Sequence, residues 1–318
     1  MFLSLILSSF FTFVELNCEN LFDTVHDSLK NDIEFLPESE YHWTRTRFWR
    51  KVNHISQEII SLGELGTSGP HRQLPDMIAL CEVENDSVMI ALTKRGLLRK
   101  AGYEYVMTSS PDERGINVAL MYLPMSFRLI HSHSIRIERL TDTRPTRDVL
   151  YAKGILMNDD TLHVFVVHAP SRRGGERVSR PYRIHVAERL AHSVDSLYAL
   201  HGSANIVIAG DFNDYDDSPA LKSLENHHLI NISKGAKGRN GAKGTYRYHG
   251  EWRSLDHILC SLPLSAQQVS CEIGDLSFLM QDDEKYGGKK PFRTYLGPRY
   301  LGGYSDHLPL VLRLTLDE

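Results

Sequence analysis

Asp211 and Asn213 stand two residues apart in the run Ile208-Ala209-Gly210-Asp211-Phe212-Asn213-Asp214-Tyr215, where an apolar segment stops abruptly at a carboxylate and a carboxamide. Side chains at i and i+2 of a strand end point the same way. A carboxylate that moves a proton, beside a carboxamide that donates to a growing oxyanion, is what hydrolysis of a phosphate ester requires at one point in space. Other short pieces supply matching parts. Asn17 follows an apolar run in Glu15-Leu16-Asn17-Cys18-Glu19-Asn20, and Glu82 follows Met77-Ile78-Ala79-Leu80-Cys81. A strand-end carboxylate suits Mg2+, which accepts few carboxylates and keeps several waters. His168 closes Val164-Phe165-Val166-Val167 and opens Ala169-Pro170-Ser171-Arg172-Arg173-Gly174-Gly175. It reads as a donor to a phosphate oxygen, with Arg172 or Arg173 near the ester.

Asp256 lies in the otherwise apolar Ser254-Leu255-Asp256-His257-Ile258-Leu259, and a carboxylate there needs a partner. His307, in Tyr304-Ser305-Asp306-His307-Leu308, is the natural one, since Asp256 would orient the ring and favour its charged form. Arg114 and Asn117 precede another apolar run and could reach the same pocket, or could simply form a charged turn. Singly, each of these residues is also what a turn or a strand cap would carry. Their order and their common placement at strand ends give the set its weight.

The elements that must position them are mostly strands. Apolar runs occur at residues 12–16, 77–80, 118–122, 154–157, 163–167, 206–209, 257–259 and 308–314, separated by polar, Gly- or Pro-bearing segments. Helical spacing is clear at 47–62, through Val52, Ile55, Ile59 and Leu62, and at 181–200, with Pro181 fitting the first turn. Strands interrupted by few helices, without strict β-α alternation, predict an α/β fold of stacked mixed sheets with helices outside. No low-complexity linker divides the chain, so residues 11–318 read as one domain. Residues 1–10 form an apolar leader with no Lys or Arg and no small-x-small cleavage site, compatible with an atypical export leader or with added chain. The protein is therefore expected to be cytoplasmic or exported, and the apolar run is too short to span a bilayer. Segments 233–253, 281–304 and 170–180 read as long loops, the first two rich in cations and the second also in aromatics. Such loops could contact a phosphorylated ligand or pack as flaps.

With 318 residues the chain can bury a large core. Its 36 Lys and Arg against 40 Asp and Glu provide no global basic field for sequence-independent binding of long DNA. Four scattered cysteines make no disulfide framework and read as small apolar packing.

The set Asn17, Glu82, His168, Asp211-Phe-Asn213, Asp256 and Ser-Asp306-His307 resembles the endonuclease/exonuclease/phosphatase superfamily of phosphoesterases. The matches run from Asn17 to His307, and the Gly-Asp-Phe-Asn and Ser-Asp-His pieces are the most diagnostic. The resemblance implies a four-layered α/β sandwich, two mixed sheets face to face with helices outside. It also implies Glu82 as the principal Mg2+ ligand, with Asn17 and Asp306 lining the metal and phosphate pocket; Mn2+ or Ca2+ could serve there. Asp211 would align or deprotonate water or assist the leaving group, and Asn213 would stabilise charge on phosphoryl oxygen. His307, held by Asp256, would contact the scissile phosphate, and His168 would stand beside the ester. The chain departs from several relatives at His257, where they carry an aromatic residue; neutral packing or an extra polar contact would explain it.

The expected function is divalent-metal-dependent hydrolysis of phosphate esters by a nuclease-like phosphodiesterase, acting on nucleic acid or a small phosphodiester. A phosphomonoesterase or a sphingomyelinase-like enzyme of the same fold is the alternative. From another class, a non-catalytic binding protein could use the aromatic cluster Tyr41, Trp43, Phe48 and Trp49 as an interface. No protein partner is implied.

Overall fold

The computed structural model describes residues 9–65, 73–140, 144–172, 174–267 and 269–316. Two six-stranded mixed sheets form the centre. The first runs in the order β13 (Val269–Ile273), β18 (Leu310–Leu316), β1 (Ser9–Leu21), β2 (Met77–Val83), β4 (Asn117–Tyr122), β3 (Glu104–Met107). The second runs β5 (Phe127–Ile135), β6 (Val149–Leu156), β7 (Thr161–His168), β8 (Asn205–Asp211), β12 (Asp256–Ser261), β9 (Leu229–Asn231). Only the central pairs β1–β2 and β7–β8 are parallel, and every other pairing within these sheets is antiparallel.

The period of two along each strand builds the layers. Phe11 and Phe13 of β1 turn inward with Met77, Ala79, Val118 and Leu120, and meet Leu150, Ala152, Val164, Val166, Val207, Ala209 and Ile258 of the second sheet. The alternate residues Val14, Leu16, Ile78 and Leu80 turn outward onto Val52, Ile55, Ile59 and Leu62 of α1 (Arg45–Glu64). Phe165, Ile206 and Ile208 pack outward on Val186, Leu190 and Val194 of α3 (Glu176–His201). The result is helix, sheet, sheet, helix, the four-layered sandwich expected. The short helices α2 (Asp86–Ile90), α4 (Pro219–Glu225) and α5 (Leu262–Ser265) lie on the connections.

Several sequence expectations change. Helix α3 begins at Glu176, so Pro181 is its sixth residue and not a first-turn residue. Glu176 anchors the added turn through Arg180 at 3.0 Å and Arg183 at 2.7 Å, so the ring costs the helix one N–H and not its start. The loops at 233–253 and 281–304 are largely structured. They hold the hairpins β10 (Tyr246–Tyr248) with β11 (Glu251–Arg253), β14 (Met280–Asp282) with β15 (Lys289–Pro291), and β16 (Tyr295–Leu296) with β17 (Arg299–Tyr300). Strands β3, β5, β9 and β13 escaped sequence reading, β5 because its exposed edge face reads as polar chain. The aromatic cluster serves packing in part. Trp43 is buried and donates to the Phe22 carbonyl at 2.9 Å, and Phe48 of α1 is buried, while Tyr41 and Trp49 pack partly buried on the same core. Residues 1–8 of the apolar leader and Arg173 lie outside the described residues. Ser9 and Phe10 already belong to β1, paired with Leu316 and Thr315.

Candidate active site

Inward-facing strand ends from both sheets converge. Asn17 continues the inward row of Phe11 and Phe13, and Asp211 continues that of Val207 and Ala209. The two meet across the sandwich, Asn17 Nδ2 donating to Asp211 Oδ2 at 3.1 Å. Glu82 should point outward by alternation, since Cys81 points in. A break in register between Cys81 and Val83 and a left-handed Glu82 (φ 60°) re-aim it. Its Oε2 then accepts the Asn20 N–H at 2.8 Å and its Oε1 lies 3.4 Å from Asn17 Nδ2.

The Asp211–Asn213 pair also meets by a turn and not by strand alternation, because β8 ends at Asp211 and Asn213 is left-handed (φ 50°). Asn213 N–H donates to Asp211 Oδ1 at 2.7 Å, and its Nδ2 donates to Asp211 Oδ2 and to the Ala169 carbonyl, both at 3.1 Å. The carboxamide therefore first orients Asp211. It reaches a phosphoryl oxygen only by exchanging one of these bonds. Gly210 permits the junction: a Cβ there would lie 1.9 Å from the Val167 carbonyl of the neighbouring strand.

His168, in register with Asp211 across β7 and β8, places Nε2 3.6 Å from Asp211 Oδ2 and 3.8 Å from Glu82 Oε1. Burial, with Arg147, His307 and Arg114 nearby, holds its pKa well below the usual value, so the ring is neutral at neutral pH. Its Nδ1 is buried without a partner among the described residues. On the opposite side His307 Nδ1 sits 2.8 Å from Asp256 Oδ2, and Thr245 Oγ1 donates to the same carboxylate. Burial alone would lower the His307 pKa; Asp256 overrides it and, with Asp211 and Asp306, raises it well above the usual value. With Nδ1 engaged, Nε2 is the nitrogen left for a ligand. Burial and then the Asp256 charge push Asp211 up to about 7.

The remaining candidates fall at the edges. Asp306 accepts from Arg293 Nη2 at 3.0 Å. Arg114 donates to Asn20 Oδ1 at 2.5 Å and so borders the site through the segment that holds Glu82. Arg172 turns away to Glu176 at 2.8 Å and lies over the Tyr215 ring at 4.3 Å. Asn117 is held by the scaffold, the second of its two expected roles: its Nδ2 donates to the Glu84 carbonyl at 2.6 Å, and its Oδ1 accepts Ser110 N–H at 2.7 Å. His257 makes the extra polar contact and not neutral packing, with Nε2 2.9 Å from the Asp214 carbonyl.

Sequence reasoning missed Glu15, Glu19, Lys51 and Tyr246, while Arg293 lies in the cation-rich segment 281–304 that it marked for phosphate contact. Glu15 is fully buried one inward rung below Asn17, both oxygens unpartnered among the described residues. Burial, then Asp256 and Asp211, raise its pKa well above the usual value. Glu19 accepts the Thr294 N–H at 2.5 Å and lies 3.4 Å from Arg293. Lys51 reaches out of α1 to Thr294 Oγ1 at 2.7 Å. The period of two from Asn17 back to Glu15 was the available signal for Glu15, whereas Glu19 lies past the break in register after Asn17 and is left-handed (φ 46°). Lys51 and Tyr246, whose ring lies 5.1 Å from His307, carried none.

The donor set fits a hard divalent cation. One ligand atom each from Glu82, His168 and Asp211 lies within 4.8 Å of the others, and Asn17 Nδ2 donates to the Glu82 and Asp211 carboxylates of that cluster. Residues 12–316 match the profile of the Endonuclease/Exonuclease/phosphatase family. The chain belongs to that family.

Solved structures of the family share the fold at low identity. An endonuclease/exonuclease/phosphatase family protein of Bacteroides thetaiotaomicron is 13% identical with a TM-score of 0.61, covering 97% of this chain and 96% of its own. A mannosyl-6-phosphatase of the same bacterium is 13% identical with a TM-score of 0.63, covering 96% and 100%. The human Nocturnin catalytic domain with a bound sulfate anion is 17% identical with a TM-score of 0.57, covering 97% of each chain. No curated protein matches the chain in sequence. Membership of the endonuclease/exonuclease/phosphatase family fits phosphoester hydrolysis, and no described helix is long and apolar enough to cross a membrane.

Proposed function

We propose that this chain is a divalent-metal-dependent phosphoesterase acting on phosphodiesters in the manner of a nuclease. The observation that carries the reading is the meeting of Asn17, Glu82, His168, Asp211 and Asn213, drawn from both sheets, beside the buried His307–Asp256 pair. Glu82 would hold Mg2+ as principal ligand, with Asn17 and Asp306 lining the same pocket; Mn2+ or Ca2+ would serve there too. Such an ion, when bound, supplies Lewis-acid polarisation of a phosphoryl oxygen.

The chain's own groups divide the rest of the work. Asp211, with its pKa pushed up to about 7, aligns the attacking water and accepts its proton near neutrality. His307 offers a protonated Nε2 to the phosphoryl oxygens, where positive charge stabilises the transition state. His168, neutral and buried, stands beside the ester oxygen. Two cavities flank the site and share Arg114: one of about 380 Å3 toward Pro170, one of about 120 Å3 toward Arg293 and Tyr295. Room on both sides favours an ester with two arms over a monoester.

The test is turnover of bis-p-nitrophenyl phosphate, p-nitrophenyl phosphate, plasmid DNA, RNA, sphingomyelin and inositol phosphates with Mg2+ and then EDTA. Diester hydrolysis that EDTA stops and that Glu82→Ala abolishes, in a variant still folded by circular dichroism, is the expected result. Undiminished turnover in Glu82→Ala removes the metal assignment, and preference for the monoester removes the diester reading.

A further inference from the structure

The turn that carries Asn213 is held at both ends by groups outside the set that meets at the site. Phe212 N–H donates to the Leu255 carbonyl at 2.9 Å, which fixes the entry to the turn. Its exit is Asp214, a buried residue whose carboxylate and carbonyl are each bound from a different element. Between these anchors Asn213 takes the left-handed conformation (φ 50°) that folds its N–H and its amide back onto Asp211.

The Asp214 carboxylate is bound by Arg183 of α3. That side chain is buried and each of its three nitrogens has an acceptor: Nε donates to Asp214 Oδ2 at 3.0 Å, Nη1 to Ser179 Oγ at 2.8 Å and Nη2 to Glu176 Oε2 at 2.7 Å. A buried guanidinium fork tied at all three nitrogens is a rigid support. The Asp214 carbonyl is bound by His257, and here the hydrogen bonds have a direction. A carbonyl only accepts, so the ring nitrogen Nε2, 2.9 Å away, carries the hydrogen. Nδ1 must then accept, and it faces Asn231 Nδ2 at 3.2 Å. Asn231 turns its amide that way because its Oδ1 accepts from Ser233 Oγ at 2.7 Å, and Ser233 Oγ in turn accepts the Ile258 N–H at 3.0 Å. One backbone N–H of β12 therefore sets the polarity of a chain that runs through Ser233, Asn231 and His257 to Asp214, every member of it buried.

Burial lowers the His257 pKa and keeps the ring neutral, as the chain requires; a second ring hydrogen would meet the Asn231 amide donor to donor. Packing alone does not account for an imidazole here. The ring meets Phe212 in a T-shaped contact at 5.7 Å, which a phenylalanine would also make, whereas the bond to Asp214 needs a donor at Nε2. Resting on the phosphoesterase reading of the site, we propose that His257, oriented by Asn231, and Arg183 are positioning residues: acting through Asp214, they hold Asn213 against Asp211 and so keep the proton-accepting carboxylate aimed for reaction.

Two substitutions at one position test this. His257→Phe keeps the ring packing and removes the bond, and His257→Gln puts a donor back where Nε2 stood. On the phosphate ester that the wild type turns over fastest, kcat of the phenylalanine variant is expected to fall about tenfold or more with KM within about twofold, because the clamp acts on Asp211 and not on the substrate. The glutamine variant should recover most of that loss. Amide hydrogen exchange gives a readout free of turnover. The Asn213 N–H, 2.7 Å from Asp211 Oδ1, should exchange about tenfold faster in the phenylalanine variant while the amides of β8 keep their wild-type rates. Asp214→Asn, which weakens the Arg183 end and leaves the ring in place, should give the same pair of effects and carries the test if the phenylalanine variant does not fold. Nitrogen NMR of the wild-type ring should show the neutral Nε2-protonated tautomer. Unchanged kcat and Asn213 exchange, a glutamine variant no better than phenylalanine, exchange accelerated throughout β8, or the opposite tautomer each overturn the clamp while leaving the phosphoesterase reading intact. A wild-type chain that cleaves no phosphate ester removes that reading, and Asn213 exchange with the ring tautomer then decides the clamp alone.

Discussion

Asp256 is sealed from solvent and spends its charge on His307 and Thr245, so it and the histidine act as one unit. In Asp256→Asn the largest raising influence disappears and only Asp211 and Asp306 still oppose burial, so the protonated ring is lost at a lower pH. Activity is expected to fall roughly 10–100-fold, with the alkaline limb of the pH profile moving downward. Stability follows the same sign. A histidine raised above 6.5 adds stability that is whole below about that pH and fades as pH climbs through the folded value, so the variant should lose most in acid and least in alkali. An unchanged alkaline limb would separate the pair. The sequence made the partnership of Asp256 and His307 legible, because a carboxylate inside an apolar run has few ways to be satisfied. It could not show that Asn117 is consumed by backbone groups, since its type and strand-end position are those of a site residue.

At the scale of elements, helix α1 does more than its apolar stripe announces. It buries Lys51 against the loop that carries Arg293, and further along it buries Glu58 with both oxygens unpartnered among the described residues. Burial pushes the Glu58 carboxyl up to about 8, with Lys51 partly offsetting. Between 4.5 and about 8 the folded chain holds a proton that the unfolded chain releases, so stability falls as pH rises through that window. Glu58→Gln is therefore expected to raise stability by roughly a few kcal/mol above pH 8 and by nothing near pH 4. Denaturant titrations at the two pH values measure it, and an equal gain at both would exclude ionisation of the buried carboxyl as the cause. Strand ends show the same gap between pattern and geometry: apolar runs located β1, β2, β7, β8 and β12. The bulge that turns Glu82 inward depends on a local break in pairing that no periodicity displays.

Across the whole molecule, the site exists only because two sheets are stacked. Asn17 and Glu82 come from the first and His168, Asp211 and Asp256 from the second, so a cation bound between them ties the halves of the sandwich together. Mg2+ at about a hundred times its dissociation constant should therefore stabilise the fold by about 2.7 kcal/mol, seen as a rise in Tm that EDTA reverses. Glu82→Ala should lose that increment while keeping its metal-free Tm within a few degrees. A full Mg2+ increment in the variant would place the ion elsewhere.

The residue types, their order and the apolar strands leading to them were set by the sequence alone, because burial periodicity and the cost of an unpaired carboxylate are local and chemical. Tertiary structure alone decided which strand-end groups share a point, which way Glu82 and Asn213 turn, and that Glu15 and Lys51 lie buried close to that point. Those outcomes depend on left-handed backbone turns and on contacts between residues far apart in the chain, such as Asn17 with Asp211, whose energies appear only once the sheets close on one another.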